Sequence, residues 1–288
     1  MKIGKINRQS IGISGFTSVL SNYEGMPNQL FVAGTLPNTR VPTVAIVGSR
    51  KPTSYGKEVT HKLAYELAKR GVIIVSGLAY GIDAIAHEAA LEAGGITIAI
   101  MASGLHTIYP AGHVQLAERI IKQGGAIISE QPEGIDAHKY HFLARNRIVS
   151  GLADAVIVTE ATDRSGTFST VTHAITQNKE VFAVPGPITS LLSAGPNRLI
   201  QEGAHVLLNA QDVLDIIAPS LKLKQVQLPL GDTSDEVTII EALARSSLDT
   251  DQLSGTTQLA VSQLLQTLTL MELKGLIHSS GGRWILAR

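Results

Sequence analysis

At 288 residues, with a formal net charge of zero, 4% aromatics and no cysteine, the chain is long enough for about two domains. Disulfides, zinc–thiolate sites, iron–sulfur clusters and thiol nucleophiles are excluded. A neutral balance gives no global signature of a polyanion binder, so any such surface has to be local.

Residues 1–42 mix polar and apolar stretches around Pro27, Pro37 and Pro42 and read as a short N-terminal segment without assigned elements. From Thr43 onward, short apolar runs alternate with glycine-containing loops and amphipathic segments, as βα units do. Strands are predicted at Val44–Val47, Val72–Val75, Ile96–Met101, Ala126–Ile128, Ala155–Val158, Val181–Val184 and Val206–Leu208. Helices are predicted at Tyr55–Arg70, Ile82–Ala93, Val114–Gln123, Ala144–Gly151, Phe168–Gln177, Gly195–Glu202 and Ala210–Ile217. That alternation predicts an α/β fold with a doubly wound, mostly parallel, Rossmann-like sheet over residues 43–218. Residues 219–234, with two prolines, read as a linker. Residues 235–288 read as a small winged helix, with helices at Glu236–Arg245, Thr250–Leu253 and Leu259–Lys274 and a hairpin turning at Gly281-Gly282.

In an open parallel sheet ligands bind beyond the carboxyl ends of the strands. Those segments are polar and glycine-rich here: Gly48-Ser49-Arg50, Ser76-Gly77, Ser103-Gly104, Ser129-Glu130, Ser165-Gly166-Thr167 and Pro185-Gly186. Several lead into helix starts, whose backbone N–H groups attract anions, so the rim is expected to bind phosphate. Arg50, Lys139, Arg145 and Arg147 are expected to project toward this same rim. Phe142 stands among the last three, where an aromatic ring can stack a base of a single strand for about 1–3 kcal/mol.

Other chemistries are disfavoured by spacing. Neither the P-loop pattern, nor Gly-x-Ser-x-Gly, nor the full dinucleotide fingerprint occurs, so no nucleotide cofactor is expected. The histidines lack metal-ligand spacing. Asp83 and His87, four apart on one helical face, suit a structural hydrogen bond better than an acid–base pair. No apolar run reaches about 18 residues, so no membrane span is expected and the chain reads as cytoplasmic. In the winged helix, the expected recognition helix carries Gln258, Ser262, Gln263, Gln266, Thr267 and Glu272, with Lys274 as its only cation. Such a helix grips DNA poorly, so this domain is expected to contact protein or to modulate the first domain.

From Val44 to about Ala218 the ordered motifs VAIVGSRKPTSYG, SGLAYGIDAIAHEAAL, GITIAIMASGLHTIYPAGH, ISEQPEG, FLARNRIVSGLADAVIVTEATDRSGTFST and VFAVPGPI resemble the DNA-processing A (DprA/Smf) family. The resemblance implies a protein without bond-breaking activity that binds incoming single-stranded DNA in natural transformation, forms a homodimer through its Rossmann-like domain and helps load the RecA recombinase. It implies DNA contacts at Gly48, Ser49, Arg50, Lys139, Phe142, Arg145, Asn146, Arg147, Ser165, Gly166 and Thr167. Leu30–Gly34 resembles the short strand that leads into the family's main domain, whereas the larger helical domain with which many members begin is not matched in residues 1–42.

Two alternatives remain at this stage. RSGTFSTVTH resembles the phosphate loop of nucleoside-monophosphate phosphoribohydrolases, but Thr172 or His173 stands where their glutamate acid belongs. A winged-helix transcriptional regulator is the other, and the recognition helix without several cations argues against it.

Overall fold

In a computed structural model, which describes residues 8–219 and 233–286, the chain enters through β1 (Arg8–Gly12), a 3-10 helix (Gly15–Asn22) and β2 (Gln29–Gly34). It then alternates through β3 (Thr43–Val47), α1 (Ser54–Lys69), β4 (Ile73–Ser76), α2 (Ile82–Glu92) and β5 (Thr97–Met101). It continues with α3 (Val114–Lys122), β6 (Ala126–Ser129), α4 (Lys139–Leu152), β7 (Ala155–Val158) and α5 (Thr167–Thr176). The series ends with β8 (Glu180–Ala183), α6 (Ala194–Gln201), β9 (His205–Val206) and α7 (Ala210–Ile217).

The strands form one sheet in the order β1-β2-β6-β5-β4-β3-β7-β8-β9. β3 to β9 pair in parallel, and β2 pairs antiparallel with both β6 and β1. This is the doubly wound Rossmann-like sheet that the alternation predicts. In the antiparallel extension, β2 is the short strand that the family resemblance implies at Leu30–Gly34, and β1 lies in a stretch to which the sequence assigns no element.

Alternation of side chains across each strand builds the two layers. Ala45 and Val47 of β3 face a core that includes Phe16, Leu20, Ile148, Leu152 and Val171. Val44 and Ile46 face the other, with Leu63, Leu67, Ile82, Ala86 and Leu214. So α4, α5 and the 3-10 helix cover one face of β3, and α1, α2 and α7 the other.

One boundary differs in a way that matters. α4 begins at Lys139, five residues before the predicted Ala144, because the backbone N–H of His138 donates to Nδ1 of His141 at 3.3 Å and starts the helix there. Lys139 and Phe142, which lie before the predicted start, are therefore helical along with Arg145 and Arg147, and all four side chains point by helical phase.

The second unit begins with α8 (Ser234–Arg245), α9 (Thr250–Thr257) and α10 (Val261–Leu273). It is completed by the hairpin β10 (Ile277–Ser280) and β11 (Arg283–Leu286). Leu248 pairs with Trp284 in an isolated antiparallel bridge beside the hairpin. Ile239, Leu243, Leu253, Leu264, Leu268 and Met271 close its own core. Asp249 caps the start of α9 by accepting from Gln252 N at 2.8 Å, and the helix runs past the predicted Leu253 to Thr257, ending at Gln258 in the left-handed region with its N–H on Ser254 O. The expected linker lies, over residues 220–232, outside the described residues.

Candidate nucleic-acid interface

The chain leaves β3 toward β4, β5 and β6 on one side and returns to β7, β8 and β9 on the other. A crevice therefore opens between the carboxyl ends of β3 and β7, the usual ligand position of such a sheet. Gly48-Ser49-Arg50 leaves β3 here. Beyond β7 lies Glu160, buried at 1% exposure. Its carboxylate accepts from Thr53 N at 2.8 Å and Thr53 Oγ1 at 2.5 Å, and its carbonyl accepts from Ser49 N at 2.7 Å. A Cβ at Gly48 would lie 2.7 Å from the Glu160 carbonyl and 2.8 Å from Ile82 Cγ1, so only glycine lets the loop pack this closely.

A cleft of about 770 Å³ opens there, lined by Gly48, Ser49, Arg50, Lys139, Phe142, Arg145, Asn146, Ser165, Gly166 and Thr167, together with Tyr109, Asp83 and Leu192. The structure thus brings together ten of the eleven residues singled out from sequence. On α4, Lys139, Phe142 and Asn146 recur at intervals of three and four and share the cleft face. Arg50 and Lys139 are exposed. The Arg50 guanidinium lies 5.7 Å from the centre of the Phe142 ring, and the Tyr109 ring lies 5.4 Å from it on a 57° tilt. Phe142 is half-buried between them. Tyr109 was not singled out from sequence, since nothing in TIYPAGH distinguishes a cleft ring from a loop residue.

Arg147 is the exception. Helical phase turns it away from Asn146, and its guanidinium donates to Glu130 Oε1 at 2.5 Å and reaches Met26 Sδ at 3.6 Å. It is outside the cleft lining, held in an ion pair that ties α4 to the end of β6.

Arg145 lines the cleft but is buried at 7% exposure. Its guanidinium donates to Gly77 O at 2.7 Å, to Ile100 O, and through Nε to Asn146 Oδ1 at 3.2 Å. A Cβ at Gly77 would come within 2.5 Å of it. Burial pulls its pKa down to about 10, with the Asp83 charge opposing, so it stays protonated at neutral pH. Asp83, in turn, accepts from Gly77 N at 3.0 Å and Ala79 N at 3.3 Å, and burial raises its pKa. Arg145 and Asp83 are braces for the loop after β4, leaving Arg50 and Lys139 as the exposed cations among the cleft residues singled out from sequence.

The backbone donors expected to cradle phosphate are partly committed within the protein. Ser49 N and Thr53 N bond Glu160, and Thr167 N bonds Ser165 Oγ at 3.2 Å. Anion capacity rests more on the side chains of Arg50 and Lys139, and on the Ser165 and Thr167 hydroxyls, than on open amides.

Asp83 and His87 do not bond each other. His87 Nδ1 lies 2.6 Å from Thr97 Oγ1, whose own proton goes to Ile74 O at 2.7 Å. That assigns the ring proton to Nδ1 and leaves Nε2 bare, buried and without a partner among the described residues. Burial takes the His87 pKa down to about 3. It is a neutral core histidine, and the structural reading from sequence holds in kind, with different partners.

The family model for DNA recombination-mediator protein A matches residues 10–218. The chain belongs to this family. The DprA winged helix domain model matches residues 224–283 of the same chain. Among relatives, the DprA/Smf member Protein Smf of Escherichia coli K12 is 38% identical over 280 residues, covering 91% of this chain and 72% of that protein. The crystal structure of DNA processing protein A (DprA) from Streptococcus pneumoniae aligns with a TM-score of 0.67 at 40% identity, over 75% of this chain and 76% of that one. DNA processing protein A from Helicobacter pylori, whose structure is described for a unique single-stranded DNA binding mode, aligns at 0.67 and 33% identity, over 76% of this chain and 99% of that one. The DprA/Smf resemblance and the winged-helix assignment thus stand on sequence and fold together.

Proposed function

We propose that this DprA/Smf-family chain binds single-stranded DNA in the cleft at the β3–β7 switch, with Arg50 and Lys139 holding phosphates and the aromatic pair Phe142–Tyr109 facing bases. The observation that carries the reading is the convergence of exposed cations from two separate strand ends on one pair of rings. A polyanion with flexible bases needs this combination, and a duplex, whose bases are stacked inside, does not use the rings. The related Helicobacter pylori protein with a described single-strand binding mode supports the same ligand.

In this reading the protein works in the cytoplasm during DNA uptake and natural transformation. It covers incoming strands, acts as a homodimer through its Rossmann-like unit, and helps load the RecA recombinase. It performs no bond-breaking chemistry: Asp83 and Glu160, the buried carboxylates beside the cleft, are spent on backbone donors. It uses no metal or cofactor.

Arg50→Ala is expected to weaken binding of single-stranded DNA and to reduce the slope of log affinity against log salt by about 0.7, the share of one phosphate contact. Phe142→Ala is expected to weaken binding as well, through a lost seat for Arg50 and Tyr109, which both pack against the ring. Salt-titrated anisotropy with a fluorescent oligonucleotide reads both effects. Unchanged affinity in both variants would remove the cleft from the reading.

The winged helix is assigned no grip on DNA. Residues 246–273 contain neither Lys nor Arg, and Lys274 Nζ lies 2.8 Å from the buried Glu236. A fragment spanning residues 233–288, which contains its own core, is expected to leave duplex and single-stranded DNA unshifted in a gel at physiological salt. A clear shift would return DNA binding to this unit.

A further inference from the structure

The chain holds twelve aromatic residues, five Phe, six Tyr and one Trp, and spends several of them on the surface of one rim. Tyr80 follows β4, Tyr109 follows β5, and Tyr140, at the start of α4, follows β6. Those three strands are neighbours in the sheet, in the order β6-β5-β4. The three rings are 51%, 51% and 65% exposed, open to a stacking ligand. Each ring is propped from behind. Tyr80 stands edge-on to His113 at 4.6 Å, Tyr109 leans on Phe142 at 5.4 Å, and Tyr140 lies parallel to the His138 ring at 5.9 Å and tilted against His141 at 4.1 Å. His113 is itself tied to the loop after β4, its Nδ1 lying 2.8 Å from Leu78 O.

Tyr55, in the first turn of α1, shows the contrast. Its hydroxyl donates to Pro185 O at 2.8 Å, so it braces the rim. The hydroxyls of Tyr80, Tyr109 and Tyr140 make no such bond among the described residues. Phe142 is no open platform either, being half-buried with Arg50 and Tyr109 against it. The open ring inside the cleft is Tyr109.

We propose that Tyr80, Tyr109 and Tyr140 form a row of stacking platforms that carries single-stranded DNA out of the cleft along the rim, Tyr109 taking the base beside Arg50. The proposal rests on the cleft reading above and adds the course of the strand beyond it. On this course each ring takes a base, so the strand is drawn out with its bases unstacked from one another. Phe142 acts as a positioning residue that aims both Arg50 and Tyr109.

The test is the affinity of the full chain for oligothymidylates of two lengths, about four and about twelve nucleotides, within the range of site sizes seen for single-strand binders. Tyr109→Ala is expected to weaken both about tenfold, within the range for one stacked base. Tyr80→Ala and Tyr140→Ala are expected to weaken the long oligonucleotide several-fold and to leave the short one nearly unchanged. All three keep the wild-type salt slope, the three Tyr→Phe variants bind within twofold of wild type, and Phe142→Leu lowers both the affinity and the slope. The row is overturned if Tyr80→Ala and Tyr140→Ala bind the long oligonucleotide as wild type does, or if Tyr→Phe loses as much as Tyr→Ala. If wild type binds neither length, or Arg50→Ala changes nothing, the cleft reading falls and takes the row with it. Because the three rings are exposed, thermal melts matching wild type are expected for every tyrosine variant.

Discussion

Arg145→Ala is expected to destabilise the larger unit by about 3–5 kcal/mol, the usual cost of removing one partner from a buried charge pair. The guanidinium is 7% exposed, donates to Gly77 O and Ile100 O, and faces the Asp83 charge. Its removal leaves two carbonyls without their donor and Asp83 without its counter-charge, under the loop that carries Tyr80. Asp83→Asn alone is expected to destabilise as well, and the double variant to cost clearly less than the sum, since each single change leaves the other charge uncompensated and the double change leaves neither. Urea denaturation read by circular dichroism measures all three. The family resemblance implies that Arg145 touches DNA, and the same experiment separates the two roles. An Arg145→Ala protein within about 1 kcal/mol of wild type that nevertheless loses a unit of salt slope for single-stranded DNA would make Arg145 a phosphate ligand instead of a brace.

The second large effect is acid sensitivity set by His87. Its folded pKa of about 3 lies below the ordinary value of 6.5 because burial penalises the imidazolium, with His113 and Arg145 adding to the penalty. Between those two values the unfolded chain binds a proton that the folded chain refuses, so stability rises with pH across this window and falls as pH drops below 6.5. The slope is about 1.4 kcal/mol per pH unit for one proton. Acidifying from pH 6.5 to 5 is thus expected to remove about 2 kcal/mol from the larger unit through this residue. His87→Gln, which cannot take up the proton, is expected to flatten the stability profile over that range even where it lowers stability at pH 7.5. Equal acid sensitivity of the variant and wild type in urea titrations would place the effect elsewhere.

Both effects arise from polar groups inside the α/β layers, which sequence reading handles less well than the layers themselves. Val44–Val47 and Ala155–Val158 are legible as strands because residues buried on both faces leave unbroken apolar runs. The helix starting at Ile82 is legible from its apolar spacing and the polar glycine loop before it. The edge strand β1, by contrast, has the polar sequence RQSIG, and only its pairing with β2, itself held by β6, makes it a strand. Arg147 reads as a rim cation although the helix predicted at Ala144–Gly151 already contains it, because sequence does not say which way that helix turns its side chains. Once the His138–His141 contact starts α4 early, helical phase sends Arg147 to Glu130 instead.

The sequence by itself determined the alternation of strand and helix, the polar, glycine-rich character of the strand ends, and the family motifs, because each is written in neighbouring residues and in the period at which they are buried. Only the tertiary structure decided which of those ends meet. The order β6-β5-β4-β3-β7 puts residues from 48 to 167 around one crevice, and separates Arg50 and Lys139, free to meet a ligand, from Arg145 and Arg147, already bonded within the protein. The physical reason is that burial and partner choice for a charged side chain depend on groups that the fold brings together from separate elements, 17 residues apart for Arg147 and Glu130 and 68 for Arg145 and Gly77. Hydrophobic periodicity, a local record, carries no information about them.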